Sequence, residues 1–168
     1  GRAYVDSHND LPFVTVSTEE LKKSDFAPFR SLNDMPIAMT AHVVFRAYDV
    51  DHPVTTSVKV IHQVLRGVIG FKGVIISDDI TMAALSGGMD ERARDSQRAG
   101  CDLILHCSGI MAEMKLVAGA VQKTSRILEK SLESAEAYRD SALLEDDFDA
   151  EKGRFQLTRI MDKAGISM

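Results

Sequence analysis

Two carboxylates stand side by side at Asp78 and Asp79, directly after the apolar run Gly73-Val74-Ile75-Ile76 and Ser77. Such a run reads as a buried strand. The pair therefore sits at a strand's C-terminal end, where parallel α/β folds bind ligands and do chemistry. Adjacent acids repel, so they are normally held by hydrogen bonds or by something bound. One of them can act as a nucleophile or as a stabiliser of positive charge. A second group lies near the start of the chain. Asp6 and His8 are two residues apart in the polar stretch Val5-Asp6-Ser7-His8-Asn9-Asp10, with Leu11-Pro12 after it. This spacing suits a loop in which a carboxylate orients an imidazole, a pair that gives and takes protons near neutral pH.

Each of these residues also has a plainer reading. A strand-end acid often caps the next helix, and on spacing alone that role weighs as much as catalysis for Asp78. For Asp6 and His8 the residues alone favour a solvated loop pair. Asp79 is the better structural acid, as an N-cap or hydrogen-bond acceptor. His42 and His106 both end apolar runs, and a buried, hydrogen-bonded imidazole explains either. Met35, Met39 and Met82 read as core filler. A metal centre needs three or four converging ligands. His8, His42, His106 and Asp78 lack any short ligand spacing, so neither a metal nor a cofactor is expected.

The elements that must position these groups alternate along the chain. Residues 1–16 look irregular. Ser17-Thr18-Glu19-Glu20 is a capping box, and Leu21, Phe26, Phe29 and Leu32 give a helical face that Asn33-Asp34 and Pro36 end. A strand is expected from Pro36 to His42, then a βα loop from Phe45 to Pro53. A helix follows from about Ser57, with Val58, Ile61, Val64, Leu65 and Val68 on one side and Gly70 as its C′ residue. The second strand covers Gly73 to Ser77, and Ala83-Ala84-Leu85 after it reads as helix. Glu91 to Ala99 is a charged helix closed by Gly100. The third strand runs from Asp102 to Cys107, backed by a helix bearing Met111, Met114, Val117, Ala118 and Val121. Strand–helix alternation predicts an α/β fold with parallel strands. Right-handed crossovers then bring Asp78, His42, His106 and the loop of His8 to one face. From Ser125 the chain becomes polar, with a thin stripe of Leu128, Leu132, Ala135 and Leu143 and an acidic run at Glu145-Asp146-Asp147. This predicts a helical tail over 125–168 beside a body of 1–124.

Composition narrows the function classes. The chain has 168 residues, 45% of them apolar and 27% charged, which is ordinary for a globular domain with a real core. A net charge of −5 without a basic run argues against nucleic acid. No apolar stretch is long enough to span a bilayer and no signal peptide is visible, so no membrane partner is expected and the cytoplasm is the default. Cys101 and Cys107 fit neither a disulfide framework nor a zinc signature and read as reduced, buried thiols. No Gly-rich phosphate loop follows a strand, which leaves a nucleotide-binding reading unsupported.

The motifs together resemble the C-terminal half of a family 3 glycoside hydrolase barrel, of the β-N-acetylhexosaminidase type. The resemblance rests on Asp6-Ser7-His8 with Leu11-Pro12, Asp25-Phe26 with Pro28-Phe29, Met39-Thr40-Ala41-His42-Val43, Gly70-Phe71-Lys72-Gly73-Val74, Ser77-Asp78-Asp79 with Met82, and Ala99-Gly100-Cys101-Asp102. It covers the first two-thirds of the chain. It implies that Asp78 is the nucleophile, His8 the general acid/base and Asp6 the residue that orients His8. It also puts His42 and Met82 beside the sugar, with His42 positioning Asp78. The implied reaction removes a terminal non-reducing β-linked N-acetylglucosamine with retention. The implied substrates are muropeptide fragments from peptidoglycan recycling, and phosphate remains open as an acceptor in place of water. The strands would be the last three of a (β/α)8 TIM-type barrel, which takes about 250 residues. The family's Lys-His-Phe-Pro-Gly-His element is absent, and the chain begins at Gly1. A fragment is therefore expected, one that pairs with the missing N-terminal half or with another copy of itself, and on its own a half-barrel could be non-catalytic.

Overall fold

The computed structural model describes residues 2–144 and 149–164. In chain order, β1 (Phe13–Val14) leads to α1 (Thr18–Glu20), which widens into a π-turn over Leu21–Asp25 before α2 (Ala27–Arg30). The capping box starts this helix as expected, with Ser17 Oγ accepting the Glu20 N–H at 3.2 Å. β2 (Ile37–Met39) and β3 (Val44–Phe45) follow, then a 3₁₀ turn at Val54–Thr56. α3 (Val58–Val60) is capped by Ser57 and continues as a wide helix through Ile61–Ile69. Gly70 ends it in the left-handed region at φ 76°, where a side chain would be strained. β4 (Val74–Ile76), α4 (Met89–Ala99) and α5 (Met111–Ala120) complete the body.

The strands are parallel, as alternation with helices requires. β2 pairs with β4 in the register Ile37↔Val74, Ala38↔Ile75 and Met39↔Ile76, and Ile76 bridges Leu103 beyond it. The three expected strand regions are thus neighbours in sequence order. Gly73 allows the first two to meet, since a Cβ there would fall 2.4 Å from the Pro36 carbonyl oxygen. On the other side of β4, Asp102 Oδ2 accepts the Ile75 N–H at 2.8 Å. Arg66 joins this junction, donating to Asp102 Oδ2 at 3.2 Å and to the Gly73 carbonyl at 2.8 Å.

Four local expectations need correction. Residues 1–16 are not wholly irregular, because β1 pairs with β3 through Phe13↔Val44 and Val14↔Phe45. Val14 is buried with Leu21, Phe26, Val54, Val60 and Val64, and that burial fixes the short pairing. The third strand shrinks to its bridge at Leu103, because the Leu105 and Cys107 amides donate to side chains, Ser77 Oγ and Asp79 Oδ1. Ala83-Ala84-Leu85 forms turns, not helix. The Ile80 carbonyl accepts from the Arg92 guanidinium at 2.8 Å while the Ala84 N–H that a helix would aim at it donates to the Ser7 carbonyl, and the Met82 carbonyl accepts from both Arg92, at 3.2 Å, and the Leu85 N–H, at 3.3 Å. Finally, Cys101 is buried but Cys107 is exposed; both are free thiols.

Two further clusters complete the core: Ile61 with Phe71, Ile75, Ala99 and Cys101 packs helices against β4, and Ile80 with Leu85, Ala93 and Val117 packs α4 and α5 against the turn after it. Elsewhere apolar surface stays open. Of the stripe expected on α5 only Val117 is buried, while Met111 and Met114 are exposed. Phe29, Leu32, Ile37 and Met39 are also exposed. They border an apolar cavity of about 620 Å³ that reaches Phe26, Phe45 and Phe71.

The chain divides into two compact units, Gly1–Ala135 and Glu136–Met168. The polar tail is helical, with α6 (Arg126–Leu144) and α7 (Ala150–Ala164). Along α6, Leu128 and Leu132 are half-buried and Ala135 is buried. The Leu143 side chain and the Glu145-Asp146-Asp147 run lie outside the described residues. No helix among the described residues is long and apolar enough to cross a membrane.

Candidate active site

The end of β4 is stitched to the third strand region through Ser77. Its N–H donates to the Leu103 carbonyl at 2.9 Å, and its Oγ accepts the Leu105 N–H at 2.8 Å. This fixes where the next residue projects. Asp78 is half-buried, its N–H donates to Thr40 Oγ1 at 3.3 Å, and its Oδ1 accepts the Asp79 N–H at 2.8 Å. Its other carboxylate oxygen receives no hydrogen bond from the described residues. A carboxylate with one oxygen held and one free is well placed to attack.

Asp79 takes the structural part. Its Oδ1 accepts the N–H groups of Thr81 and Cys107 at 3.0 and 3.1 Å, and its Oδ2 accepts the Thr81 hydroxyl at 2.6 Å. Burial pushes its pKa up, but these hydrogen bonds outweigh burial and hold it below the ordinary carboxylate range. Three donors on one carboxylate relieve the repulsion that two adjacent acids would otherwise suffer.

Asp6 and His8 form the expected pair. Asp6 Oδ1 meets His8 Nδ1 at 2.7 Å and also accepts the His8 backbone N–H at 2.9 Å. Both side chains are largely exposed. The loop is turned by Asn9 and Asp10 N–H groups on the Asp6 carbonyl, and the Ala84 N–H on the Ser7 carbonyl, 3.2 Å away, ties it to the turn after Asp79. The hydrogen bond and charge of Asp6 raise the His8 pKa, and Asp78 and Asp79 add smaller upward contributions. Asp6 is lowered by its hydrogen bonds from His8. With Nδ1 occupied by Asp6, Nε2 is the nitrogen left to exchange a proton.

The remaining candidates lie deeper. His42 is fully buried, with Nδ1 2.8 Å from Thr55 Oγ1 and Nε2 2.9 Å from the Asp79 carbonyl. Neither nitrogen is free for a ligand. Met82 is also buried, and its N–H donates to the Asp79 carbonyl at 3.2 Å. His106 Nε2 lies 3.1 Å from Glu113 Oε2, while its Nδ1 is buried without a hydrogen-bond partner among the described residues. The sequence reading missed Arg92, which binds three carbonyls of the 80–87 turn. One arginine inside a charged helix carries no signal of that role. It also missed Thr40 and Thr55, whose residue types are as common in sheets as in networks.

Among the described residues, one cavity of about 590 Å³ and another of about 620 Å³ are lined by neither Asp78 nor His8. The first lies between α3 and α4 and carries Asp49, Asp51 and His52, whose ligand atoms approach within 4.8 Å of one another.

The profile of the glycosyl hydrolase family 3 N-terminal domain matches residues 1–138. The chain belongs to glycosyl hydrolase family 3. The beta-hexosaminidase of Tolumonas auensis is 39% identical over 124 residues, which cover 71% of this chain and 37% of that protein. The beta-hexosaminidase of Neisseria gonorrhoeae is 50% identical over 107 residues, 61% of this chain and 29% of that one. A family 3 β-N-acetylglucosaminidase structure from Paenibacillus superposes with a TM-score of 0.68 at 30% identity, covering 88% of this chain and 30% of that one. This family 3 chain therefore spans only about a third of the length of the curated relatives it matches.

Proposed function

We propose that this chain carries the catalytic residues of a retaining β-N-acetylhexosaminidase acting on terminal, non-reducing N-acetylglucosamine. The observation that carries the reading is the Asp6–His8 pair at 2.7 Å, standing in the field of the Asp78 carboxylate. In the first step the free oxygen of Asp78 forms a bond to the anomeric carbon. The glycosidic C–O bond breaks, and protonated His8 gives its Nε2 proton to the leaving oxygen. In the second step neutral His8 takes a proton from water, the water oxygen bonds to the anomeric carbon, and the glycosyl–Asp78 ester bond breaks. Asp6 holds the imidazole in one orientation through both steps. Imidazole suits the switch because its ordinary pKa lies near neutrality, about 6.5. Met82, being buried, contributes packing beneath the site.

The substrates are muropeptide fragments of peptidoglycan recycling, met in the cytoplasm. Residues 1–124 form the last part of a (β/α)8 barrel, and 125–168 a helical extension. The exposed Phe29, Leu32, Ile37 and Met39 and the apolar cavity beside them favour a second element of this reading. This face is covered in the working enzyme by the rest of the barrel or by another copy, and the chain alone is inactive. Labelling with a fluorinated mechanism-based N-acetylglucosaminide tests the assignment. Covalent label on Asp78 in the complete enzyme is the expected result, and label on Asp79 or on neither acid defeats it. Assaying the chain with and without a separately expressed barrel half tests completeness, and robust turnover by the isolated chain defeats that part.

A further inference from the structure

With His42 neutral, the hydrogen bonds beneath Asp78 and Asp79 fall into one consistent arrangement of protons. The Asp79 carbonyl can only accept, so His42 Nε2, 2.9 Å from it, carries a hydrogen. In the neutral ring Nδ1 is then bare, and the Thr55 hydroxyl 2.8 Å away donates to it. The Thr55 oxygen is left to accept from the Thr40 hydroxyl, also at 2.8 Å. The Thr40 oxygen in turn accepts the Asp78 N–H at 3.3 Å. Every hydrogen runs in one direction, from the amide of Asp78 round to the carbonyl of Asp79. A doubly protonated ring breaks the pattern, because Nδ1–H would turn the Thr55 hydroxyl around and, through it, the Thr40 hydroxyl. The Thr40 oxygen would then receive two donors, and its own hydrogen would have to turn to the Cys101 sulfur beside it.

The three side chains come from separate places, Thr40 and His42 between β2 and β3, and Thr55 in the 3₁₀ turn. All three are buried, His42 and Thr55 completely. Inside a low-dielectric core each of these hydrogen bonds is strong and costly to leave unmade. The Cys101 thiol closes the space beside them, lying 3.6 Å from the Thr55 carbonyl, and burial pushes its pKa up to about 12.

We propose that Thr40, Thr55 and His42 form a one-way hydrogen-bonded clamp that grips the Asp78–Asp79 backbone at both ends, making His42 a positioning residue that touches no sugar. This rests on the reading of Asp78 as the nucleophile. The clamp sets where the free Asp78 oxygen stands, and misplacing a reacting atom by about 1 Å can cost on the order of 100-fold in rate.

Three measurements test it. Nitrogen-15 NMR of the histidines in this chain should show His42 as the neutral tautomer with hydrogen on Nε2; the Nδ1–H tautomer or an imidazolium at neutral pH overturns the clamp. Hydrogen exchange of the Asp78 amide should quicken in Thr40→Val, and unchanged protection overturns it. In the complete enzyme, Thr55→Val should lower kcat by about 10- to 100-fold with KM within about twofold, and Thr55→Ser should restore most of it. Unchanged kcat in Thr55→Val, a loss confined to KM, or no repair by serine each overturn it. The tautomer and exchange arms need no turnover. A wild-type enzyme without glycosidase activity therefore defeats the functional reading, while these two arms still decide the clamp.

Discussion

Asp79 receives three hydrogen bonds on its carboxylate, and the Asp78 backbone is held through Thr40. The Asp6–His8 loop is joined to that turn, among the described residues, by one main-chain bond between Ala84 and Ser7. One region is packed and over-determined. The other is exposed, and its ion pair organises little beyond itself. The proposed chemistry asks for this contrast. A nucleophile gains from being fixed at one point, since most of its advantage is orientation. The acid/base must face a leaving oxygen first and a water molecule next. Its proton affinity must also remain near neutrality, which deep burial would disturb.

The contrast makes its largest prediction at Asp78. Asp78→Ala removes the covalent route, and turnover of an aryl β-N-acetylglucosaminide by the complete enzyme should fall by at least about 1,000-fold. Substrate affinity should change far less, which equilibrium binding of the sugar checks. A variant that keeps near-normal turnover would mean that the fixed turn is scaffolding only. His8→Ala comes next, with an expected loss of about 100- to 10,000-fold for poor leaving groups. For very good leaving groups the first step needs little proton assistance, so the loss should shrink. A series of aryl glycosides of graded leaving ability measures this, and an equal loss across the series removes His8 from the acid role.

How far the sequence could be read follows the same contrast. Asp78, Asp79 and the strand before them were legible because an apolar run leading into acids is a local pattern. The capping box at Ser17 and the left-handed Gly70 were legible for the same reason. The Asp6–His8 pair was legible as an orientable dyad, because two residues of spacing suffice to close it. What was not legible depends on partners distant in sequence. Ala83-Ala84-Leu85 has helical composition, yet Arg92 claims the carbonyls before it. Residues 102–107 look like a strand, yet Ser77 and Asp79 side chains take the amides a ladder would use. The partners of His42, the Thr55 hydroxyl and the Asp79 carbonyl, are likewise distant in sequence. The α5 stripe shows the reverse case, an apolar pattern whose residues Met111 and Met114 remain exposed.

A smaller effect is expected on pH dependence. Asp6 is the main cause of the raised His8 pKa, through its hydrogen bond and its charge. Asp6→Asn should therefore move the alkaline limb of the kcat/KM profile to lower pH, because His8 then loses its proton sooner. The limb should keep some elevation from Asp78 and Asp79, whose contributions remain. A profile that does not move would show that the dyad does not set the acid's titration.

The smallest effect concerns stability, and it separates the two regions by salt. The folded-state pKa of His8 is raised, so its contribution is fully present below the ordinary imidazole value of about 6.5. That contribution is lost as pH rises through the raised value. The pKa of Asp6 is lowered, so its share is present above the ordinary aspartate value of about 3.9 and is lost as pH falls through the lowered one. The dyad therefore stabilises most on the mildly acidic side, between those limits. Both groups are exposed, so salt should screen the effect. Asp79 is also lowered, and its contribution likewise fades as pH falls, but its donors are backbone and hydroxyl groups that salt does not compete with. Thermal melts of the chain and of His8→Ala, run from acidic to alkaline pH at low and high salt, check this. The difference between the two proteins should be greatest at mildly acidic pH in low salt and should vanish in high salt. The acid limb due to Asp79 should persist in both. A His8→Ala difference that ignores salt would mean the loop is held by packing that its exposure does not suggest.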